Sequence, residues 1–259
     1  MDSFAALHRR REILVLPNAW DAASARIFEE TGFAAVGTSS AGIAFSLGYP
    51  DGEQMPWAEH LEVLRHIARS VSVPVSADIE AGYGDLARVV RDVVAAGIVG
   101  VNLEDAQADV LLDLEEQCRC IRETKQSPLF VNARTDVFWL AVGPIEQRLE
   151  LAIHRVKAFV EAGADCVFVP GLNDPGMIAE LTAAAGAPVN ILGGLGVPSV
   201  PQLQQLGVKR VSVGSGPMRS AMGHTRRLAE VLRTAETYEC VVNGSVPYAD
   251  ANRMFRRYR

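Results

Sequence analysis

The chain has 259 residues, 49% of them hydrophobic and 22% charged, with a formal net charge of −6. With a mean hydropathy of +0.11, this is the composition of a water-soluble globular protein with ample material for a large core. The acidic balance argues against nucleic acid as the main partner but leaves room for a small anionic substrate, because a site's local charge can oppose the global one.

The opening segment, MDSFAALHRRREILVLPNAW, holds no apolar run long enough for a signal peptide. No window approaches the roughly 20 apolar residues of a membrane span, so a cytoplasmic protein with no membrane partner is expected. Eight short apolar runs then read as strands: residues 13–17, 34–39, 75–79, 99–104, 129–134, 166–170, 189–193 and 210–214. Amphipathic segments alternate with them at 21–31, 57–70, 85–96, 113–125, 145–162, 174–185 and 199–206, and a last helical stretch covers 217–236. Gly32, Gly97, Gly163, Gly186 and Gly207 each fall between a helix and the next strand. Glycine there is the left-handed residue that ends a helix. Eight such units in series predict an α/β fold, a closed (β/α)8 TIM-type barrel. It is expected as a single domain over 1–259, with a core at about 13–236 and a C-terminal arm at 237–259. A doubly wound open sheet is the alternative. No Gly-x-Gly-x-x-Gly follows the first strand, which counts against it.

The chemistry-bearing residues fall where strands end. The second strand runs into GTSSAG, where Thr38, Ser39 and Ser40 offer hydroxyls and backbone N–H groups to a substrate carboxylate. A polar turn without a ligand is the competing reading. A long connection, Gly42 to Pro56, follows and carries Asp51. The third strand ends in SADIEAGYGD, with Asp78 and Glu80 two residues apart and Asp85 placed to cap the next helix. Glu104 and Asp105 end the fourth strand, and Arg134 and Asp136 the fifth. Asp105 and Asp136 also read as caps or exposed side chains. Like charges gathered at one barrel mouth repel unless a cation sits between them. Oxygen donors with room for water suit magnesium, with manganese as its substitute. The five histidines, His8, His60, His66, His154 and His224, lie at no strand end, which disfavours zinc. Cys118, Cys120, Cys166 and Cys240 read as reduced thiols.

Taken together, PNAWDAASARIFEETGFAAVGTSSAGIAFSLGYPD, ADIEAGYGD, GVNLED and FVNARTD resemble the isocitrate lyase and phosphoenolpyruvate mutase superfamily, from Leu16 to about Gly214. The resemblance implies a magnesium ion, a 2-oxo or 2-hydroxy acid substrate, and homodimers or homotetramers in which the C-terminal helix is swapped onto a neighbouring subunit. It implies that Asp78 is the principal metal ligand and that Glu80, Glu104 and Asp51 hold water around the metal. Ser39, Ser40 and Ala41 would bind the substrate carboxylate, and Arg134 a substrate oxygen. Trp20 and Tyr49 are placed to line the pocket or to pack in the core.

Three departures bear on the reaction. The superfamily's Asp-x-Asp reads Asp78-x-Glu80 here. The Lys-Lys-Cys-Gly-His segment of the lyases, and the lysine and asparagine of the mutases, are missing from EDAQADVLLDLEEQCRC. Gly171 stands where the lyases carry a glutamate. A chain that keeps the metal and oxyanion apparatus but lacks the loop's acid and base leans toward decarboxylation, which needs no base to start. The expectation is therefore cleavage of a carbon–carbon bond through a pyruvate enolate, as in an oxaloacetate decarboxylase, with Arg134 and Asp51 as catalytic residues. Carbon–phosphorus cleavage of a phosphonopyruvate-like compound, and non-catalytic binding of a 2-oxo acid, are the alternatives.

Overall fold

The computed structural model describes residues 3–234 and 238–256. A short helix α1 (Phe4–Leu7) leads into β1 (Leu14–Leu16), and Pro17 separates that strand from β2 (Asn18–Ala19). There follow α2 (Ala22–Glu30), β3 (Val36–Thr38), α3 (Ser40–Leu47), α4 (Trp57–Ser70), β4 (Val75–Asp78), α5 (Leu86–Ala95) and β5 (Gly100–Glu104). A small hairpin of β6 (Ala106–Gln107) and β7 (Val110–Leu111) precedes α6 (Leu114–Thr124), β8 (Phe130–Arg134) and α7 (Ile145–Glu161). The chain continues through β9 (Cys166–Phe168), α8 (Pro175–Ala184), β10 (Val189–Leu192), α9 (Val200–Gln205), β11 (Arg210–Ser212) and α10 (Gly216–Thr234). Two short helices, α11 (Glu239–Val242) and α12 (Tyr248–Phe255), form the arm.

Pro17 has no N–H for a ladder, so the first stave breaks in two. Its lower half, β1, pairs in parallel with β11, and its upper half, β2, pairs in parallel with β3. The sheet order β1-β11-β10-β9-β8-β5-β4-β3-β2 thus begins and ends on the same stave, and the barrel closes through it. The expected eight-stave α/β barrel is what forms, and the five glycines between helices and strands all have positive φ. Asp85 caps α5 by accepting the Arg88 N–H at 3.1 Å.

Alternate strand residues point into the lumen, and they build it in layers. The bottom is apolar: Phe4, Leu7, Leu14, Leu16, Ala35, Phe130 and Cys166 form one cluster. Helix α1 plugs it, with Phe4 edge-on to Phe130 at 5.2 Å and His8 stacked on Phe130 at 4.2 Å. Gly100 makes room for this plug, since a Cβ there would lie 2.9 Å from the Phe4 ring. The middle layer is polar and buried, with Asn102 and Ser212 forming the floor of the cavity above it. Asn132 donates to Asn102 at 2.8 Å, Arg210 donates to Asn102 at 3.1 Å, and Asn190 bonds Ser212 at 3.1 Å. Arg210 is fully buried, and burial pulls its guanidinium down to about 10. The larger apolar cluster lies outside the strands, beneath the helices.

Two expectations need correction. The first half of the connection expected from Gly42 to Pro56 is helix α3, closed by Gly48 at φ 85°. It was hidden because SAGIAFSL is apolar on all sides, so it has no amphipathic period. The plug helix α1, four residues long, was not foreseen. Of the stretch expected at 217–236, residues 235 and 236 lie outside the described residues. No helix among the described residues is long and apolar enough to cross a membrane. Helix α10, 19 residues long, buries none of its side chains.

Candidate active site

The connections after β3, β4, β5 and β8 meet at the carboxyl end of the barrel, where active sites of this architecture lie. A cavity of about 260 Å³ there is lined by Ser40, Asp51, Glu80, Glu104, Arg134 and Asp136 among others. A second, of about 90 Å³, continues it over the barrel axis and adds Ser39, Ala41, Asp78, Asn18 and Asn102. Part of its wall is apolar, made by Trp139, Phe168, Pro170 and Leu192. Arg134 is the one cation among the residues lining the two cavities.

Asp78 is seated by its neighbours. Its backbone N–H donates to Thr38 Oγ1 at 2.9 Å, and its Oδ2 accepts from Ser40 Oγ at 3.0 Å and Ser40 N–H at 3.3 Å. Its Oδ1 is buried and has no hydrogen-bond partner. A buried carboxylate oxygen left without a donor is costly. It is suited to a cation. Among the described residues no three His, Cys, Asp or Glu side chains converge into an all-protein cage. One open carboxylate with acids around it instead fits a magnesium ion that keeps most of its water.

Glu80 lines the cavity, but not through strand alternation. Strand β4 ends at Asp78, and Glu80 adopts φ 51°. Its Oε1 accepts the Tyr83 hydroxyl at 2.7 Å, and its Oε2 accepts the Glu53 N–H at 2.5 Å. Burial pushes its carboxyl up to about 7, against the Tyr83 hydrogen bond and with the charge of Asp78. Glu104 is held by Arg134 at 2.6 Å. Burial raises its carboxyl well above the usual range, with Arg134 opposing. Arg134 also forks onto Asp136, Nε to Oδ1 at 2.6 Å and Nη2 to Oδ2 at 2.8 Å. Burial works against this guanidinium's charge, and Glu104 and Asp136 more than offset it. Asp51 sits at the exposed rim, its carboxyl raised by desolvation in the mouth and by Asp78.

The other expected residues divide. Ser39, Ser40 and Ala41 line the mouth at the first turn of α3, and Ser39 caps that helix by accepting the Gly42 N–H at 3.1 Å. Thr38 is fully buried beneath Asp78 and lines neither cavity. Trp20 and Tyr49 pack against the core outside both cavities, and Tyr49 donates to Glu59 at 2.9 Å. Asp105 is not a mouth residue: it is fully buried, bonded to Arg155 at 2.6 Å and to the Asp136 N–H at 2.8 Å. Sequence reasoning missed the apolar wall and the asparagines beneath the site. An asparagine two residues before each of Glu104 and Arg134 was a usable signal, since buried amides need partners on the same face.

Comparison with known proteins agrees with this geometry. The family model for phosphoenolpyruvate phosphomutase matches residues 4–233. An uncharacterised protein of Mycobacterium tuberculosis is 38% identical over 253 residues, covering 96% of this chain and 94% of its own. A solved structure from Burkholderia cenocepacia, described as a lyase or mutase, superposes with a TM-score of 0.89 at 35% identity, covering 98% of this chain and 94% of that one. A phosphonopyruvate hydrolase solved with oxalate and magnesium shares the fold, with a TM-score of 0.84 at 23% identity over 96% of this chain and 92% of that one.

Proposed function

The chain belongs to the phosphoenolpyruvate phosphomutase family, within the superfamily of isocitrate lyases and phosphoenolpyruvate mutases, and on that premise we propose that it is a magnesium-dependent lyase cleaving a carbon–carbon bond of a small 2-oxo acid through the enolate of pyruvate, with oxaloacetate decarboxylation as the favoured reaction. The observation that carries this reading is the mixed lining of the mouth. Carboxylates and Arg134 share it with an apolar wall of Phe168, Pro170, Leu192 and Trp139.

Asp78 would hold the metal through its open oxygen, with Ser40 fixing the carboxylate from behind and Thr38 holding the Asp78 backbone N–H. Glu80, Glu104 and Asp51 surround that position and would hold its water. Magnesium bound there supplies positive charge against which the enolate's negative charge develops. Ser39, Ser40 and Ala41 line the mouth at the first turn of α3 and would receive the substrate's C1 carboxylate there, although the Ser39 and Ser40 N–H groups are given to the Ala19 carbonyl and to Asp78. Arg134 stands beside the keto oxygen, its position fixed by Glu104 and Asp136.

The distal carboxylate then lies against the apolar wall. A charged group is disfavoured there and neutral carbon dioxide is not, so the wall favours departure of the leaving group. No base is needed to begin, and the proton that completes pyruvate comes from water entering the mouth. Retro-aldol cleavage requires a protein base, and the β6–β7 hairpin carries no lysine, cysteine or histidine. Gly171 adopts φ 85°, and a Cβ there would meet the Phe138 and Trp139 backbone at 3.1 Å, so no glutamate fits without displacing that segment. A phosphonyl group would need free cationic charge, and Arg134 is already engaged by two acids. Helix α10, with no buried side chain of its own, supports docking on a second copy as a homodimer or homotetramer.

Purified protein with magnesium should convert oxaloacetate to pyruvate faster than magnesium alone, and Asp78→Ala should remove the gain. An unchanged rate in that variant would overturn the proposal.

A further inference from the structure

Asp51 reaches the mouth from a connection, residues 48–56, that has no regular structure of its own. Its anchor is Glu53, a residue the reaction above does not use. The Glu53 N–H donates to Glu80 Oε2 at 2.5 Å. Its Oε1 accepts the Tyr83 N–H at 2.7 Å, and its Oε2 accepts the Gln107 side-chain amide at 3.1 Å. One residue therefore joins the connections that follow β3, β4 and β5. Gln107 sits beside the turn of the β6–β7 hairpin, whose central residues Ala108 and Asp109 have φ 49° and 61°.

The local backbone shows that this arrangement is imposed. Glu53, Glu80 and Tyr83 have φ 58°, 51° and 53°, and none is glycine. Left-handed conformations of such residues persist only where surrounding bonds over-determine them. A second tier supports the first. The Tyr83 hydroxyl gives its only proton to Glu80, so the 2.8 Å contact with the fully buried His60 Nδ1 makes His60 the donor. The order of donation is His60, Tyr83, Glu80, and it fixes the carboxylate that receives the Glu53 N–H.

We propose that Glu53 is a positioning residue, a clasp that ties the 48–56 connection to the β4–α5 turn and to the β6–β7 hairpin and so holds Asp51 over the mouth. The role rests on the reading of this mouth as the ligand site. The Glu53–Gln107 bond is solvent-exposed and involves one carboxylate. It can open to admit ligand, while the Tyr83 and Glu80 bonds keep the connection in place.

The test compares Glu53→Ala and Glu53→Gln in the full chain by amide hydrogen exchange, without ligand, and by binding of oxalate in the presence of magnesium. Glutamine keeps a carbonyl for the Tyr83 N–H, and the Gln107 amide can turn to accept from its new NH2 group. Glu53→Ala should raise exchange in 48–56, 81–85 and 106–111 while the barrel strands stay protected, and should weaken oxalate binding roughly 10- to 100-fold, as expected for lost charge-assisted hydrogen bonds. Glu53→Gln should restore most of both. The clasp is refuted if Glu53→Ala leaves exchange in 81–85 and 106–111 unchanged, or if Glu53→Gln is as exposed as Glu53→Ala. A wild-type chain that binds no oxalate with magnesium would defeat the functional reading, and the exchange comparison, which needs no ligand, would still decide the clasp.

Discussion

Glu80 should make the metal-free protein less stable as pH rises, and the size of the effect follows from its surroundings. Its carboxyl is 3% exposed, and burial lifts it from 4.5 to about 7. A group raised on folding adds stability that is complete below its unfolded value and lost as pH climbs through its folded value. The window is therefore about pH 4.5 to 7, and the full displacement corresponds to about 3 kcal/mol, an upper figure because water enters the mouth. Two other groups act oppositely. Burial lowers His8 and His60 from 6.5 to about 4, so their contribution is present above pH 6.5 and is lost as pH falls through 4. The wild-type curve mixes both signs, and the clean quantity is the difference between Glu80→Gln and wild type. Glutamine does not titrate, and it keeps a carbonyl for one of the two donors, giving a pH-independent offset of about 1 kcal/mol. Thermal unfolding in chelator at pH 5 and pH 8 should show the variant gaining on wild type by about 1–3 kcal/mol over that interval. For a chain of this length that is a shift of roughly 2–10 °C in Tm. Saturating magnesium should shrink the gain, because a nearby cation favours the ionised acid. A difference that stays flat between pH 5 and 8 in chelator would refute the argument.

Two further outcomes are expected. Arg155→Leu strands Asp105, a fully buried acid whose Nε partner lies at 2.6 Å, and should destabilise the chain by about 3–5 kcal/mol in urea titration. Leu232→Asp places charge on helix α10, where Leu232 is 41% exposed. On size-exclusion chromatography with light scattering it should convert a dimer or tetramer to monomer, and an unchanged mass would exclude α10 from the interface.

The barrel was legible because its signals are local. Apolar runs, amphipathic helices and capping glycines each need only a short window, and eight repeats leave one closed solution. The strand-end acids were legible for the same reason. Their partners were not. Nothing near Asp105 in sequence points to Arg155, 50 residues on, and strand period alone put Glu80 beside Asp78 where a left-handed turn carries it toward Glu53. Helix α3 was lost because its sequence, SAGIAFSL, is apolar all round and so lacks the periodicity by which a surface helix is recognised. Thr38 was expected to touch substrate, and only the three-dimensional register shows its hydroxyl committed to the Asp78 N–H.

Two of the three departures from the superfamily pattern, at Glu80 and at the hairpin, meet in one packing arrangement. Glutamate is one methylene longer than aspartate, about 1.5 Å of reach, and the Glu80 arm uses it to meet Tyr83 and the Glu53 N–H. Both Glu80 oxygens are thereby engaged, and Asp78 Oδ1 remains the open oxygen. Glu53, so held, is free to reach Gln107, and only a short hairpin brings Gln107 within 3.1 Å. A longer segment carrying its own acid and base would fill the space the hairpin occupies. At the apolar wall, Gly171 lets the Phe138–Trp139 backbone approach to a distance that a Cβ would crowd, and Trp139 lines the smaller cavity with Phe168 and Leu192. The short hairpin and Gly171 each leave out a side chain that could move a proton, while Glu80 keeps a carboxylate at the mouth. All three leave intact the charge cluster on which the proposed enolate chemistry relies. Chemistry that begins without a base is the kind such a mouth can still perform.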